Sequence, residues 1–322
     1  MMFLKIITES IRYSAIFLFG SAGETVTEKS GHLNLGTPGI MCFGSMGSMI
    51  GAYLYFIMCN GNTNPFLSVF FPLFFCLLFA GLGGAIFSFF AVTLHCNQNV
   101  TGLALTTFGG GLLPFVISKF DGEITAGFSA ISKPIAHLFS KSFYESNWFT
   151  QLLFSYGILV YLAIALAIAI AIFMKKTKAG LFLRTVGENP AAADAAGINV
   201  NRYRYLATII GSAISGIGGM FVTFDVLGGA LDSSTISEYG WLAVSLVIYT
   251  MWNTEIGNAG SFLFSFLYIS PGYIAGPPVA KLLIKGVPYV ATIIILVLTS
   301  IFSKRMGKAP AGLGLSYFRE DR

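Results

Sequence analysis

Charge is what this chain has least of. Asp, Glu, Lys and Arg make up only 10% of its 322 residues, against about 25% in an ordinary soluble domain. A soluble protein must still cover its surface with polar groups, so the shortfall excludes a secreted domain, a disordered chain and most cytosolic enzymes. Histidine is scarce as well: His32, His95 and His137 are scattered and share no metal-ligand spacing. Cys42, Cys59, Cys76 and Cys96 form no close pair of the zinc or redox kind and read as buried free thiols. The Gly-x-x-x-x-Gly-Lys-Ser/Thr phosphate loop, His-Glu-x-x-His and Gly-x-Ser-x-Gly are all absent. No catalytic constellation can be assembled, and ATP hydrolysis by a phosphate loop is excluded. A net charge of +5, collected near segment borders, makes nucleic acid a poor partner. The N-terminal stretch lacks a long apolar region ending at a small-residue cleavage site, so no cleaved signal peptide is expected.

What remains is apolar. Hydrophobic residues make up 55% of the chain, with 31 Phe and 37 Gly, and the mean hydropathy is +0.76. A spanning helix needs roughly 20 mostly apolar residues that satisfy their own backbone hydrogen bonds. Nine stretches qualify: 8–24, 38–59, 66–94, 100–118, 149–174, 205–227, 238–252, 256–276 and 287–303. The expected fold is all-α, a polytopic membrane helix bundle forming a single domain over 1–322. Lysine and arginine set its orientation. Lys175, Lys176, Lys178, Arg184, Arg202 and Arg204 mark residues 175–204 as cytoplasmic, as Lys304, Arg305, Lys308, Arg319 and Arg322 mark the tail. The 119–148 loop and the N-terminus then fall outside, although Lys5 and Arg12 argue against the latter.

Several segments carry more than packing. Gly31-His-Leu-Asn-Leu-Gly-Thr-Pro-Gly39 reads either as a broken element lining a polar path or as a plain turn before a helix started by Pro38. Ala207, Gly211, Ser215 and Gly219 share one helix face, as do Gly44 with Ser48 and Gly47 with Gly51, which predicts close helix packing. Asp225, Asp232, Glu238 and Glu24 read as solvated carboxylates near span ends. In the loop from Leu183 to Ile198, Asn189 is placed to cap a short helix opened by Pro190 and closed by Gly197. Such a small-faced helix suits insertion into a groove on another protein or adsorption on the bilayer, and the residues leave both open.

At this loop the chain resembles a known family. Arg184, Gly187, Asn189, Ala192, Ala193, Gly197 and Ile198 match the R-x-x-G-x-N-x-x-A-A-x-x-x-G-I loop of bacterial ABC importer permeases for ribose, branched-chain amino acids and nucleosides. Glu28-Lys29-Ser30-Gly31 with Leu33-Asn34-Leu35-Gly36, and the tail from Val287 through Gly314, resemble the lipoprotein-linked nucleoside permeases of the shorter subunit type. The chain departs from that group at Thr37-Pro38, where a Glu usually precedes the glycine matched by Gly39.

The resemblance implies a permease subunit of an ATP-driven importer that translocates nucleosides, purine ones foremost. Sugar or branched-chain amino acid transport is the alternative, and an ion-coupled secondary carrier a more distant one. It also implies that 188–198 is a cytoplasmic coupling helix, with Arg184, Gly187, Glu188, Asn189, Pro190, Asp194, Gly197 and Ile198 engaging an ABC ATPase. Asn34, Gly36, Gly39, Phe43, Ser45 and Ser48 are the expected substrate pathway. The expected partners are the ATPase, a second, related but heterologous permease chain, an external substrate-binding lipoprotein and membrane lipid. No cofactor is expected in this chain, ATP and Mg belonging to the ATPase.

Overall fold

The computed structural model describes residues 2–59, 64–119, 139, 141–144, 147–273 and 309–318, together with isolated positions between 277 and 297. Every regular element among them is helical. In order these are α1 (Met2–Glu28), α2 (Thr37–Met58), α3 (Pro65–Ser88), α4 (Gln98–Lys119), α5 (Lys141–Tyr144), α6 (Trp148–Phe154), α7 (Ile158–Lys176), α8 (Lys178–Glu188), α9 (Pro190–Ala195), α10 (Val200–Phe221), α11 (Ser233–Tyr249) and α12 (Thr254–Tyr273). Single π-helical turns, Phe89–Thr93 and Val222–Val226, prolong α3 and α10.

Among the described residues, five helices are long and apolar enough to cross a membrane: α2, α3 with its π turn, α4, α7 and α10 with its π turn. The expected spans at 8–24, 238–252 and 256–276 are present as α1, α11 and α12. Charges on α1 and the 17-residue length of α11 set these two apart from the five. The expected span at 287–303 and most of the 119–148 loop lie outside the described residues.

One expectation is corrected. Residues 149–174 form two helices rather than one, because Ser155-Tyr156-Gly157 interrupts the ladder. Gly157 is extended (φ −74°, ψ 165°) and opens α7, while Tyr161 Oη donates to the Leu153 carbonyl at 2.7 Å and closes α6.

α1 and α2 form the centre. α3, α4, α10 and α11 pack against α2, and α7, α10, α11 and α12 pack against α1. Small residues set these crossings. On α10, Gly211 and Ser215 face Gly23 of α1, whereas Gly216 faces Gly44 of α2 and Gly219 faces Met41. The small-residue row of α10 therefore serves two neighbours, not one. In a bilayer, where burying apolar surface gives little drive to associate, close backbone approach supplies the packing energy.

The helix ends sort into two levels. Glu28 at the end of α1 accepts from the Trp252 indole just past α11, and Lys175 near the end of α7 pairs with Glu255 at the start of α12 at 2.6 Å. The tail at 309–318 packs beside α8 and α9 at this same end. Arg12 and Asp225 meet away from it, about 24 Å along α1 from Glu28 at the helical rise. Cysteines introduced at Thr177 and Ser316, in a chain without its native cysteines, are expected to resist impermeant thiol reagents in intact cells. Cysteines at Ser132 and Ser142 should react. The opposite pattern would invert the orientation inferred from lysine and arginine.

Candidate coupling and pathway sites

Three consecutive side-chain caps build the candidate coupling end. Thr177 Oγ1 accepts from Gly180 N at 3.0 Å and opens α8. Asn189 Oδ1 accepts from Ala192 N at 2.9 Å and opens α9 behind Pro190. Asn199 Oδ1 accepts from Arg202 N at 2.9 Å and opens α10. Gly197, at φ +80°, takes the left-handed turn that ends α9. Ala191, Ala192, Ala195 and Ala196 are exposed, whereas Ala193 is buried with Val186 and Val200. The result is a six-residue helix whose outer face is almost all methyl groups. Arg184, Gly187 and Glu188 do not lie in an exposed loop as the sequence suggested; they form the last turns of α8.

Gly187 is buried, and its missing side chain leaves room for the Lys29 carbonyl just after α1. The tail lies across this contact. Gly312 N donates to Gly187 O at 2.9 Å and Gly314 N to Gly31 O at 3.0 Å. Ala311 N donates to Glu188 Oε2 at 3.1 Å, Arg204 Nη1 to Leu315 O at 3.1 Å, and Tyr317 Oη to Asp194 Oδ2 at 2.9 Å. The strap thus ties α8 and α9 to the segment joining α1 to α2. Ile198 is half-buried beside Tyr203 and Tyr317. Arg184 lines a small cavity of about 170 Å³ with Thr25, Lys29 and Trp252.

That joining segment is buried and polar. Asn34, 1% exposed, donates from Nδ2 to Glu24 Oε2 at 3.2 Å and accepts from Gly36 N at 3.0 Å. Thr37 donates to the same Glu24 oxygen. Gly36 and Gly39 let α4 approach at Gly102 and Leu105. The Phe43 ring meets Phe108 at 5.9 Å. Ser45 bonds Thr223 at 2.6 Å, and Ser48 donates to the Ser45 carbonyl at 2.7 Å. Asn34, Gly36 and Gly39 therefore gather where α1, α2 and α4 meet. Ser45 and Ser48 lie deeper along α2, against α10.

Two carboxylates depart from the expectation of solvated acids. Glu24 is 1% exposed and held by Asn34 and Thr37, and Asp225 is 7% exposed and paired with Arg12. Arg12, from the far end of the sequence, offsets the cost of burying Asp225, while Asn34 and Thr37 bond one of the two Glu24 oxygens. Asp232 and Glu238 are exposed, as expected. Glu28, His32 and Arg204 join the buried set beyond anything composition suggested. The i, i+4 spacing of Glu24 and Glu28, which puts both on one face of α1, was the available signal. His32 Nδ1 lies 2.8 Å from Thr208 Oγ1. Burial, with Arg204 adding, pushes its pKa down to about 3, so the imidazole is neutral at physiological pH.

The described residues thus form a polytopic membrane helix bundle centred on glycine crossings, with a capped six-residue helix tied to the α1–α2 junction. Residues 6–303 match the family described as the branched-chain amino acid transport system / permease component, and the chain belongs to it. It is 30% identical to the nucleoside ABC transporter permease protein NupC of Lactococcus lactis, over 98% of this chain and 96% of that one. Identity is 29% to the guanosine ABC transporter permease protein NupQ of Bacillus subtilis, over 98% and 97%. To the putative glucose ABC transporter permease protein TsgC13 of Haloferax volcanii it is 27%, over 81% and 75%. No solved structure matches. The chain is thus a permease subunit of an ABC importer, a multi-pass protein of the cytoplasmic membrane that works with ATPase and substrate-binding partners.

Proposed function

We propose that this chain is one half of a pore that brings nucleosides into the cell. The observation that carries the reading is likeness over nearly the whole length to two permeases named for nucleosides and guanosine. The other half is a related, heterologous permease, and an external lipoprotein captures the substrate. ATP and Mg stay in the ATPase, and this chain contributes no cofactor and no chemistry of its own. The methyl face of α9, with Asn189, Pro190, Asp194 and Ile198 around it, seats in a cleft of the ATPase. Movement there passes through Gly187 and the tail to Lys29 and Gly31, and so to the Asn34–Glu24–Thr37 cluster. The bundle's part is a difference in stability between outward and inward states, linked to a remote nucleotide.

A nucleoside is neutral and rich in hydroxyls, so amide and hydroxyl groups on α2 and its lead-in suit its passage better than fixed charge. The test is competition for ATP-dependent uptake by the assembled complex. Unlabelled inosine or guanosine should suppress uptake of labelled adenosine. Competition by glucose, ribose or leucine with none by nucleosides would move the chain to the sugar or amino acid permeases, the former favoured by its likeness to TsgC13.

A further inference from the structure

α7 and α10 both pack on α1, and the space between them is a cavity of about 990 Å³. Ile170 and Phe173 wall it on one side and Ile210 and Ile214 on the other, with Val26 of α1 behind. Leu206 and Ile210, both in its wall, are 47% and 51% exposed, so the groove opens toward the bilayer. Asn199 and Arg202 stand at its coupling end, and no carboxylate lines it. Arg202 is exposed, and among the described residues no ion pair engages its guanidinium. From Arg202 to Ile214 is about 18 Å along α10, little more than half the roughly 30 Å hydrocarbon core. Lys176 and Lys178 add positive charge beside the same end.

We propose that this groove holds one anionic phospholipid of the cytoplasmic leaflet, its acyl chain between α7 and α10 and its phosphate at Arg202. An apolar slot one leaflet deep, with an unopposed guanidinium at headgroup level, fits a lipid better than a soluble ligand. A single-sign charge at its mouth selects anionic over zwitterionic headgroups. Ala196 to Asn199 also line the groove, so the lipid touches the segment leaving α9. The choice of leaflet rests on the orientation above, whereas binding does not depend on the transported compound.

The assembled complex, extracted in mild detergent and examined by native mass spectrometry, tests this. Phosphatidylglycerol should be retained several-fold over phosphatidylethanolamine in the natural protein. Arg202→Gln should abolish that preference, and Ala169→Trp, which fills the slot, should lower retention of both. Soluble glycerol phosphate should fail to displace the lipid. Equal retention of the two lipids by the natural protein, an unchanged preference in Arg202→Gln, displacement by glycerol phosphate, or crosslinking from Ala169→Cys to the second permease chain would each overturn the proposal. Arg202 is a surface side chain, so its variant decides the matter even if Ala169→Trp fails to assemble.

Discussion

Arg12→Ala is expected to destabilise the protein by about 2–3 kcal/mol, less than the cost of breaking a fully buried ion pair because the Arg12 side chain is 32% exposed. The Asp225 side chain is only 2% exposed, in the π-helical turn that ends α10. Arg12 donates from Nε to its carboxylate and from Nη2 to its backbone carbonyl. Truncation strips that carboxylate of its guanidinium inside the bundle. Unfolding in mild detergent would show the loss, and pairing Arg12→Ala with Asp225→Ala should cost clearly less than the sum of the two. Strict additivity would mean that the pair contributes nothing as a pair. The same truncation removes the Glu9–Arg12 contact, which at 3.4 Å and about one-third exposed on both sides adds little to the loss.

Gly187→Val should lower ATP-dependent uptake by about tenfold or more, since overpacking costs of 1–3 kcal/mol fall directly on the coupling contact. A valine methyl would occupy the place of the Lys29 carbonyl, pushing α8 from the α1–α2 junction and straining the bond from Gly312. Insertion should survive, since α8 lies outside the five apolar spans. Glu188→Lys removes the bond from Ala311 and reverses a charge that favours Lys29, and without overpacking it should cost less. Gly111→Ala serves as the control, because nothing lies within 4 Å of its added Cβ. Full uptake by Gly187→Val would show that motion reaches the pore by some other route.

The short helix after Asn189 was legible in the sequence because its chemistry is local. Asn189, Pro190 and Gly197 act on their own few residues, and cap, first turn and left-handed exit lie where their residue types put them. The break at Ser155-Tyr156-Gly157 was missed because it sits inside an apolar run that hydrophobicity alone reads as continuous. Glu24 was read as solvated because its partners Asn34 and Thr37 arrive only once the chain turns back, 10 and 13 residues on. Glu28 meets an indole 224 residues away. The strap was invisible for another reason. Its bonds to Gly187 and Gly31 use backbone N–H groups, which every residue but proline carries.

The glycine crossings have a consequence beyond fit. In glycine a hydrogen stands where a side chain would begin, and at each crossing that hydrogen points at a carbonyl oxygen of the neighbouring helix. Gly23 points at Gly211, Gly211 back at Gly23, Gly44 at Gly216, Gly39 at Leu105, Gly109 back at Gly39, Gly47 at Phe75 and Gly219 at Met41. Contacts of this Cα–H···O kind are worth about 0.5–1 kcal/mol each. They run like rivets from α1 through α10 and α2 to α3 and α4, and three of the joints are fastened from both sides. α7, by contrast, has no glycine of its own between Ile158 and Lys176, and is approached in this way by Gly180 of the following helix, at the Phe173 carbonyl. The crossings of α1, α10, α2 and α4 are thus fixed by backbone against backbone, whereas α7 meets α1 through side chains.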